Sequence, residues 1–132
     1  MTELRDEIKE TIDREPVVAF VKGTHEQAYC GNSERAMQAL RSVGVAFAAV
    51  DVLPDPAIRQ ELTGLSSWPT IPQVFVRGEL IGGADIVQEL AANGELEAAL
   101  DEKLGPDWRN GGEERTIPLS AGGASFRLAP PG

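Results

Sequence analysis

Apolar residues recur along this chain at two periods, and the switches between the periods mark out its elements. Leu4, Ile8 and Ile12 stand four apart among charged neighbours, which predicts one face of a helix with Thr2 as N-cap, Glu3 in the first turn and Pro16 as the stop. Val17 to Lys22 reads as a strand, continuous and β-branched, broken by Gly23-Thr24. Ala36, Met37, Leu40 and Val43 restore the helical period, and Gly44 is placed to end that helix in the left-handed conformation. Val45 to Val52 is almost wholly apolar, as a strand covered on both faces requires. Asp55-Pro56 supplies an N-cap and a first-turn proline for a third helix with core positions Ile58, Leu62 and Leu65, ending around Gly64 to Ser66.

Gln73 to Arg77, a turn at Gly78-Glu79, and Leu80-Ile81 predict a short hairpin. Gly82-Gly83 opens a fourth helix carrying Ile86, Val87 and Leu90, which pauses at Asn93-Gly94 and resumes through Leu96 and Leu100. The order is α, β, α, β, α, β, β, α. Two strands joined through a helix imply a right-handed parallel crossover, and the hairpin adds antiparallel strands. The expected fold is therefore α/β, a mixed four-stranded sheet flanked by helices. From Pro106 the composition shifts toward glycine and proline, so residues 105–132 read as an extension of a domain formed by 1–104, with a hairpin of Thr116 to Leu119 and Ser125 to Leu128.

Composition narrows the setting. At 132 residues one compact domain is expected. One cysteine forms no internal disulfide, no apolar stretch has membrane-spanning length, and the first residues lack the basic and apolar regions of a signal peptide. A reducing cytoplasm follows as the expected compartment, with no membrane association. The net charge of -9 argues against a nucleic-acid partner, because phosphate binding relies on a surplus of lysine and arginine.

The candidate chemistry centres on that cysteine, Cys30, placed where the first strand hands over to a helix N-terminus. Unpaired backbone N–H groups and the positive end of the helix dipole favour a thiolate there. Ser33 stands where a dithiol motif would carry its second cysteine, and the chain has no other thiol. A lone cysteine is also commonly a small buried hydrophobe, and its position alone leaves both readings open. His25, the only histidine, invites a Cys–His pair or a further metal ligand; the plainer reading is an exposed loop residue.

Four motifs occur in order: Lys22-Gly23-Thr24, Cys30-Gly31-x-Ser33, Trp68-Pro69-Thr70-Ile71-Pro72-Gln73 and Gly82-Gly83-x-Asp85. Together, over residues of roughly 1 to 103, the chain resembles the monothiol glutaredoxins, a branch of the thioredoxin fold; the extension has no counterpart in the resemblance. The resemblance implies glutathione bound beside Cys30, and two protomers with two glutathiones bridging a [2Fe-2S] cluster. Cys30 would be both the catalytic thiol and the protein's cluster ligand. Lys22 and Arg59 match positions that contact the glycine carboxylate of glutathione in the family. Thr70 and a cis Ile71-Pro72 would present a backbone edge to its cysteinyl part, with Trp68 as a wall. Gly83, Ala84 and Asp85 would receive the γ-glutamyl end, through backbone N–H groups and the Asp85 carboxylate; Asp85 is equally legible as a helix N-cap.

Four positions depart from the family pattern. Asn32 replaces a usual aromatic and makes the flank of the cysteine more polar; His25 and Ala28 replace loop prolines, which predicts a looser loop; Ala84 replaces a cysteine or serine. The expected function is storage or transfer of an iron–sulfur cluster by a cluster-bridged homodimer, with assembly or recipient proteins as partners. The alternatives are a glutathione-dependent monothiol oxidoreductase and a non-catalytic thioredoxin-like module that binds protein partners. Ser33 and the missing second thiol disfavour dithiol reduction.

Overall fold

The five residues of β1 (Val17–Val21) are all buried, and an apolar strand with no polar face belongs at the centre of a sheet covered on both sides. A computed structural model describes residues 3–119 and puts β1 there. The N-cap expected at Thr2 and the hairpin arm Ser125 to Leu128 lie outside the described residues. Around β1 the chain runs α1 (Glu3–Arg14), α2 (Gly31–Val43), β2 (Ala48–Asp51), α3 (Pro56–Ser66), β3 (Gln73–Val76), β4 (Glu79–Gly82), α4 (Ala84–Ala92), α5 (Glu95–Leu104), a 3-10 helix (Pro106–Asn110) and β5 (Arg115–Thr116). The sheet order is β4-β3-β1-β2-β5. β1 pairs in parallel with β2 and antiparallel with β3, so the sheet is mixed, as the connections require.

Alternation along β1 divides the core into two layers. Val17, Ala19 and Val21 join Met37 and Leu40 of α2, Val87 of α4, and Leu96 and Leu100 of α5. Val18 and Phe20 face the other way, with Ile8 and Ile12 of α1 and Ile58 and Leu62 of α3. Phe20 meets Phe75 edge to face at 5.8 Å between ring centroids. Full burial of each such large side chain contributes ~1.5–3 kcal/mol over leaving it in water. Among the described residues no helix is long and apolar enough to cross a membrane.

Three expectations about the elements are revised. β2 is shorter than Val45 to Val52, because Val45 and Phe47 are buried as a loop leading into it. The hairpin turns at Arg77-Gly78, both at positive φ (52° and 83°), and Glu79 already belongs to β4. A two-residue connection whose twist matches the flanking strands needs positive φ at both positions. Among the described residues the sheet has five strands, because Arg115–Thr116 of the extension pairs in parallel with β2 at Ala48 and Ala49. Trp108, also beyond α5, is buried in the α2/α4/α5 layer, and its Nε1 donates to Asp101 Oδ1 at 2.7 Å.

Candidate functional site

Cys30 is the N-cap of α2, with extended backbone at φ -148° and ψ 139°. The position follows from the sequence on either side. β1 ends at Val21, residues 22–29 fold back on themselves, and Gly31 starts the helix. Ser33, wholly buried, reaches Cys30 twice: its backbone N–H donates to Sγ at 3.5 Å, and its hydroxyl lies 3.5 Å from the same sulfur. The Ser33 hydroxyl also accepts the N–H of Lys22 at 3.0 Å. Partial burial pushes the Cys30 thiol up, but the Ser33 hydroxyl and N–H, the Asn32 N–H and the charge of Lys22 outweigh it and hold the thiol below its ordinary value. Cys30 is partly exposed rather than a buried hydrophobe, and Tyr29 before it is 66% exposed.

A cleft of about 230 Å³ opens between the start of α2 and the start of α4. Asn32 and Arg35 line it from α2, Trp68, Thr70, Ile71 and Pro72 from the segment before β3, and Gly83, Ala84, Asp85 and Ile86 from α4. The Ile71-Pro72 bond is cis. Gly83 is the N-cap of α4 and carries no side-chain cap; a Cβ there would stand 3.3 Å from Pro72 O and 3.3 Å from Trp68 Nε1. Trp68 Nε1 is buried and has no hydrogen-bond acceptor. The free backbone N–H groups of the first turn of α4 face an open space flanked by a cation, a geometry that suits an anionic ligand end.

The structure gathers most of the residues singled out in the sequence, but not all. Thr70, Ile71, Pro72, Gly83, Ala84 and Asp85 share the cleft. Lys22 lies at the end of β1, where its charge acts on Cys30, outside the cleft lining. Arg59 does not line the cleft either; its guanidinium approaches Pro69 O at 3.4 Å, on the loop leading to Thr70. Asp85 is not the N-cap. It sits in the first turn of α4 with an 88% exposed carboxylate, because Gly83 already occupies the cap. The His25 ring is engaged by the segment after α5: its Nδ1 lies 2.7 Å from Thr116 Oγ1.

Arg35 escapes a reading by motif. Its guanidinium bonds Asp85 Oδ1 at 3.1 Å, Asn32 Oδ1 at 2.6 Å and the Gln88 side chain. The signal in the sequence was the i, i+3 spacing of Asn32 and Arg35, which puts both on one face of the first turn of α2. Where an aromatic is usual, Asn32 thus serves as an acceptor for that arginine.

Comparison with known proteins points to one family. The Glutaredoxin family model matches residues 17–81. The chain is 52% identical over 85 residues to the probable monothiol glutaredoxin GrlA of Legionella pneumophila, covering 64% of this chain and 96% of that protein. It is 46% identical over 99 residues to monothiol glutaredoxin-S11 of Oryza sativa, covering 75% of this chain and only 20% of that longer protein. Among solved structures it is similar to a buckwheat glutaredoxin-glutathione complex, with a TM-score of 0.67 and 26% identity over 80% of this chain and 98% of that one.

Proposed function

This chain belongs to the glutaredoxin family, among its monothiol members, and we propose that it binds glutathione beside Cys30 and, as two protomers, holds a bridging [2Fe-2S] cluster for storage or transfer. The observation that carries the reading is a lone, partly exposed cysteine held toward its thiolate at a helix N-cap, two residues before Asn32 in the cleft wall. A thiolate is the ligand type iron–sulfur clusters take. Among the described residues no group of three or more histidine, cysteine or acidic side chains is arranged to hold a metal ion. With one cysteine in the sequence, each protomer offers a single thiolate, and in this reading the complement of four comes from two Cys30 residues and two glutathione thiolates.

Each end of glutathione meets suitable chemistry. The first turn of α4 offers N–H groups to the γ-glutamyl carboxylate and the Asp85 carboxylate to its amine. Thr70 to Pro72 offer a backbone edge to the cysteinyl part in the manner of an added strand. Lys22, with Arg59 beyond Pro69, supplies cations for the glycine end. The buckwheat relative was solved with glutathione. A reducing cytoplasm is the compartment in which such a thiol stays available, and proteins that assemble or receive clusters are the partners.

A second reading has its own support in the partial exposure of Cys30. The Cys30 thiolate attacks a glutathione mixed disulfide, its sulfur bonding the glutathione sulfur as the substrate thiolate leaves; a second glutathione thiolate then displaces Cys30 and forms oxidised glutathione.

Anaerobic reconstitution with iron, sulfide and glutathione separates the readings. Wild-type protein is expected to become coloured and dimeric by mass, and Cys30→Ser to stay colourless and monomeric. A colourless wild-type monomer that still turns over a glutathionylated substrate replaces the cluster reading with the enzymatic one.

A further inference from the structure

The segment after α5 reaches back to the loop that carries Cys30. That loop is a closed turn. Gly23 and Ala28 bridge antiparallel, Thr24 N–H donates to Gln27 O at 2.9 Å, and Gln27 N–H donates to Thr24 Oγ1 at 3.1 Å. At its base Gly23 N–H donates to Asp51 Oδ1 at 2.9 Å and Tyr29 N–H to Lys22 O at 2.8 Å. Gly23 is required here: its φ is 126°, and a Cβ would stand 2.3 Å from Gln27 O.

His25 fastens the turn to the segment after α5 and to α2. Its backbone N–H donates to Thr116 Oγ1 at 2.8 Å, and the same hydroxyl meets its ring Nδ1 at 2.7 Å. Its carbonyl accepts from the Arg41 guanidinium, which also grips both oxygens of Glu114 through Nε, at 3.1 and 2.9 Å. Arg41 belongs to α2, the helix that Cys30 caps. Glu114 and Thr116 are in turn held by the sheet, since Arg115 N–H donates to Phe47 O at 3.1 Å and Ile117 N–H to Ala49 O at 2.9 Å. Leu119 anchors the far end in the α1/α3 layer.

We propose that residues 114–116 are a strap that fixes the Cys30 loop, with Thr116 and Glu114 as positioning residues for the thiol. His25 and Ala28 stand where the resemblance leads one to expect prolines, so this loop lacks the fixed φ that proline supplies. The strap provides from outside the rigidity that proline would build in. Rigidity matters at this place because the 3.5 Å contact of the Ser33 N–H with Sγ depends on Cys30 keeping its extended N-cap backbone, and the loop sets that backbone. A modest drift of the loop takes the sulfur off the helix N-terminus and leaves it a less stabilised nucleophile.

The test uses the full chain without glutathione or iron, so its failure leaves the cluster reading untouched, and the reverse holds as well. Thr116→Val keeps the side-chain shape and removes the hydroxyl, whereas Thr116→Ser keeps the hydroxyl. In Thr116→Val, amide hydrogen exchange is expected to speed up across residues 23–29 with β3 unchanged, and Cys30 to react several-fold more slowly with a neutral aromatic disulfide at constant pH. Thr116→Ser should restore both. A Thr116→Val protein with wild-type loop exchange and wild-type thiol rate, or with nothing altered but its melting temperature, overturns the proposal. If Thr116→Val does not fold, Glu114→Gln, which loosens the clip from the Arg41 side, is judged by the same two measurements.

Discussion

Ser33 Oγ lies 3.5 Å from Cys30 Sγ, so the residue standing in the place of a second thiol is the first one's hydrogen-bond partner. The hydroxyl also accepts the Lys22 N–H, which ties the end of β1 to the start of α2 through one wholly buried oxygen. A dithiol site would spend this position on redox chemistry. Here it is spent on holding and tuning a single sulfur.

Ser33→Ala should therefore have two effects. The Lys22 N–H loses its acceptor in a buried setting, which costs about 1–3 kcal/mol, read as a lower urea midpoint at unchanged slope. The Cys30 thiol should also titrate at higher pH than in wild type, because one of the donors that favour the thiolate is gone. An unchanged thiol titration would show that the backbone N–H groups and Lys22 suffice without the hydroxyl.

The lowered thiol pKa also sets the sign of a pH effect on stability. A depressed folded-state pKa stabilises the fold fully above the pKa of the unfolded thiol, ~8.5, and that contribution is lost as pH falls through the folded value. The stability of wild type minus that of Cys30→Ser should thus grow as pH rises from the folded pKa toward the unfolded one. Urea unfolding of both proteins across that window measures it; a difference that stays flat would contradict the shift.

The elements were legible in the sequence wherever one apolar period held over a full element. Leu4, Ile8 and Ile12, the β1 run, and Met37 with Leu40 all face the layers their spacing implies. The place of Cys30 at a helix N-terminus was legible for the same reason, since strand and helix bracket it closely; that it is the N-cap itself comes from the structure. Contacts between distant parts of the chain were not legible. Nothing local to His25 marks Thr116, 91 residues away, as its partner, and β5 is two residues long, too short to show a period. Arg35 carries no local signal of its contact with α4, because a charged residue on a helix reads as solvated until α4 is known to lie opposite. The hairpin turn lies one residue earlier than its glycine suggests, because a glycine marks a turn without saying which of its neighbours shares the positive φ.

Arg35 and Asp85 should matter for ligand binding more than for folding. An ion pair on a carboxylate 88% exposed contributes about 0–1 kcal/mol to stability, so Arg35→Gln and Asp85→Asn should melt close to wild type. Each should weaken glutathione binding by about tenfold or more, the worth of one charge-assisted hydrogen bond of ~1.5–3 kcal/mol. A double-mutant cycle by titration calorimetry should give non-additive losses, because Arg35 holds the Asp85 carboxylate that is proposed to receive the ligand's amine. Additive losses would mean that the two residues meet the ligand separately.

Gly83→Ala probes the cleft wall itself. With φ at -97° the backbone admits alanine, so any cost comes from crowding of Pro72 O and Trp68 Nε1, both 3.3 Å from the new Cβ. Overpacking of this kind costs about 1–3 kcal/mol. The displaced wall should also weaken glutathione binding while leaving the Cys30 thiol titration at its wild-type position, since the atoms a Cβ at Gly83 would meet belong to Pro72 and Trp68 and not to Ser33, Asn32 or Lys22, which tune the sulfur. A shift in the thiol titration would mean that cleft and cysteine are mechanically coupled.

Trp108→Ala tests whether residues beyond α5 belong to the fold. If they only trailed from a finished domain, truncating one side chain there would change stability by no more than ~0.5 kcal/mol. Trp108 is instead only 7% exposed, packs in the same layer as Leu96 and Leu100, bonds Asp101 through Nε1, and carries the Arg109 guanidinium over its ring at 4.0 Å. Removing so large a buried side chain should cost about 3–5 kcal/mol, measured as unfolding free energy in urea. The strap at Thr116 rests on the sheet edge and not on this tryptophan, so a folded Trp108→Ala protein should still react at Cys30 at a rate near wild type. Slow thiol chemistry in Trp108→Ala, with Thr116→Val normal, would put the control of the cysteine in the core behind α2 rather than in the contact between Thr116 and His25.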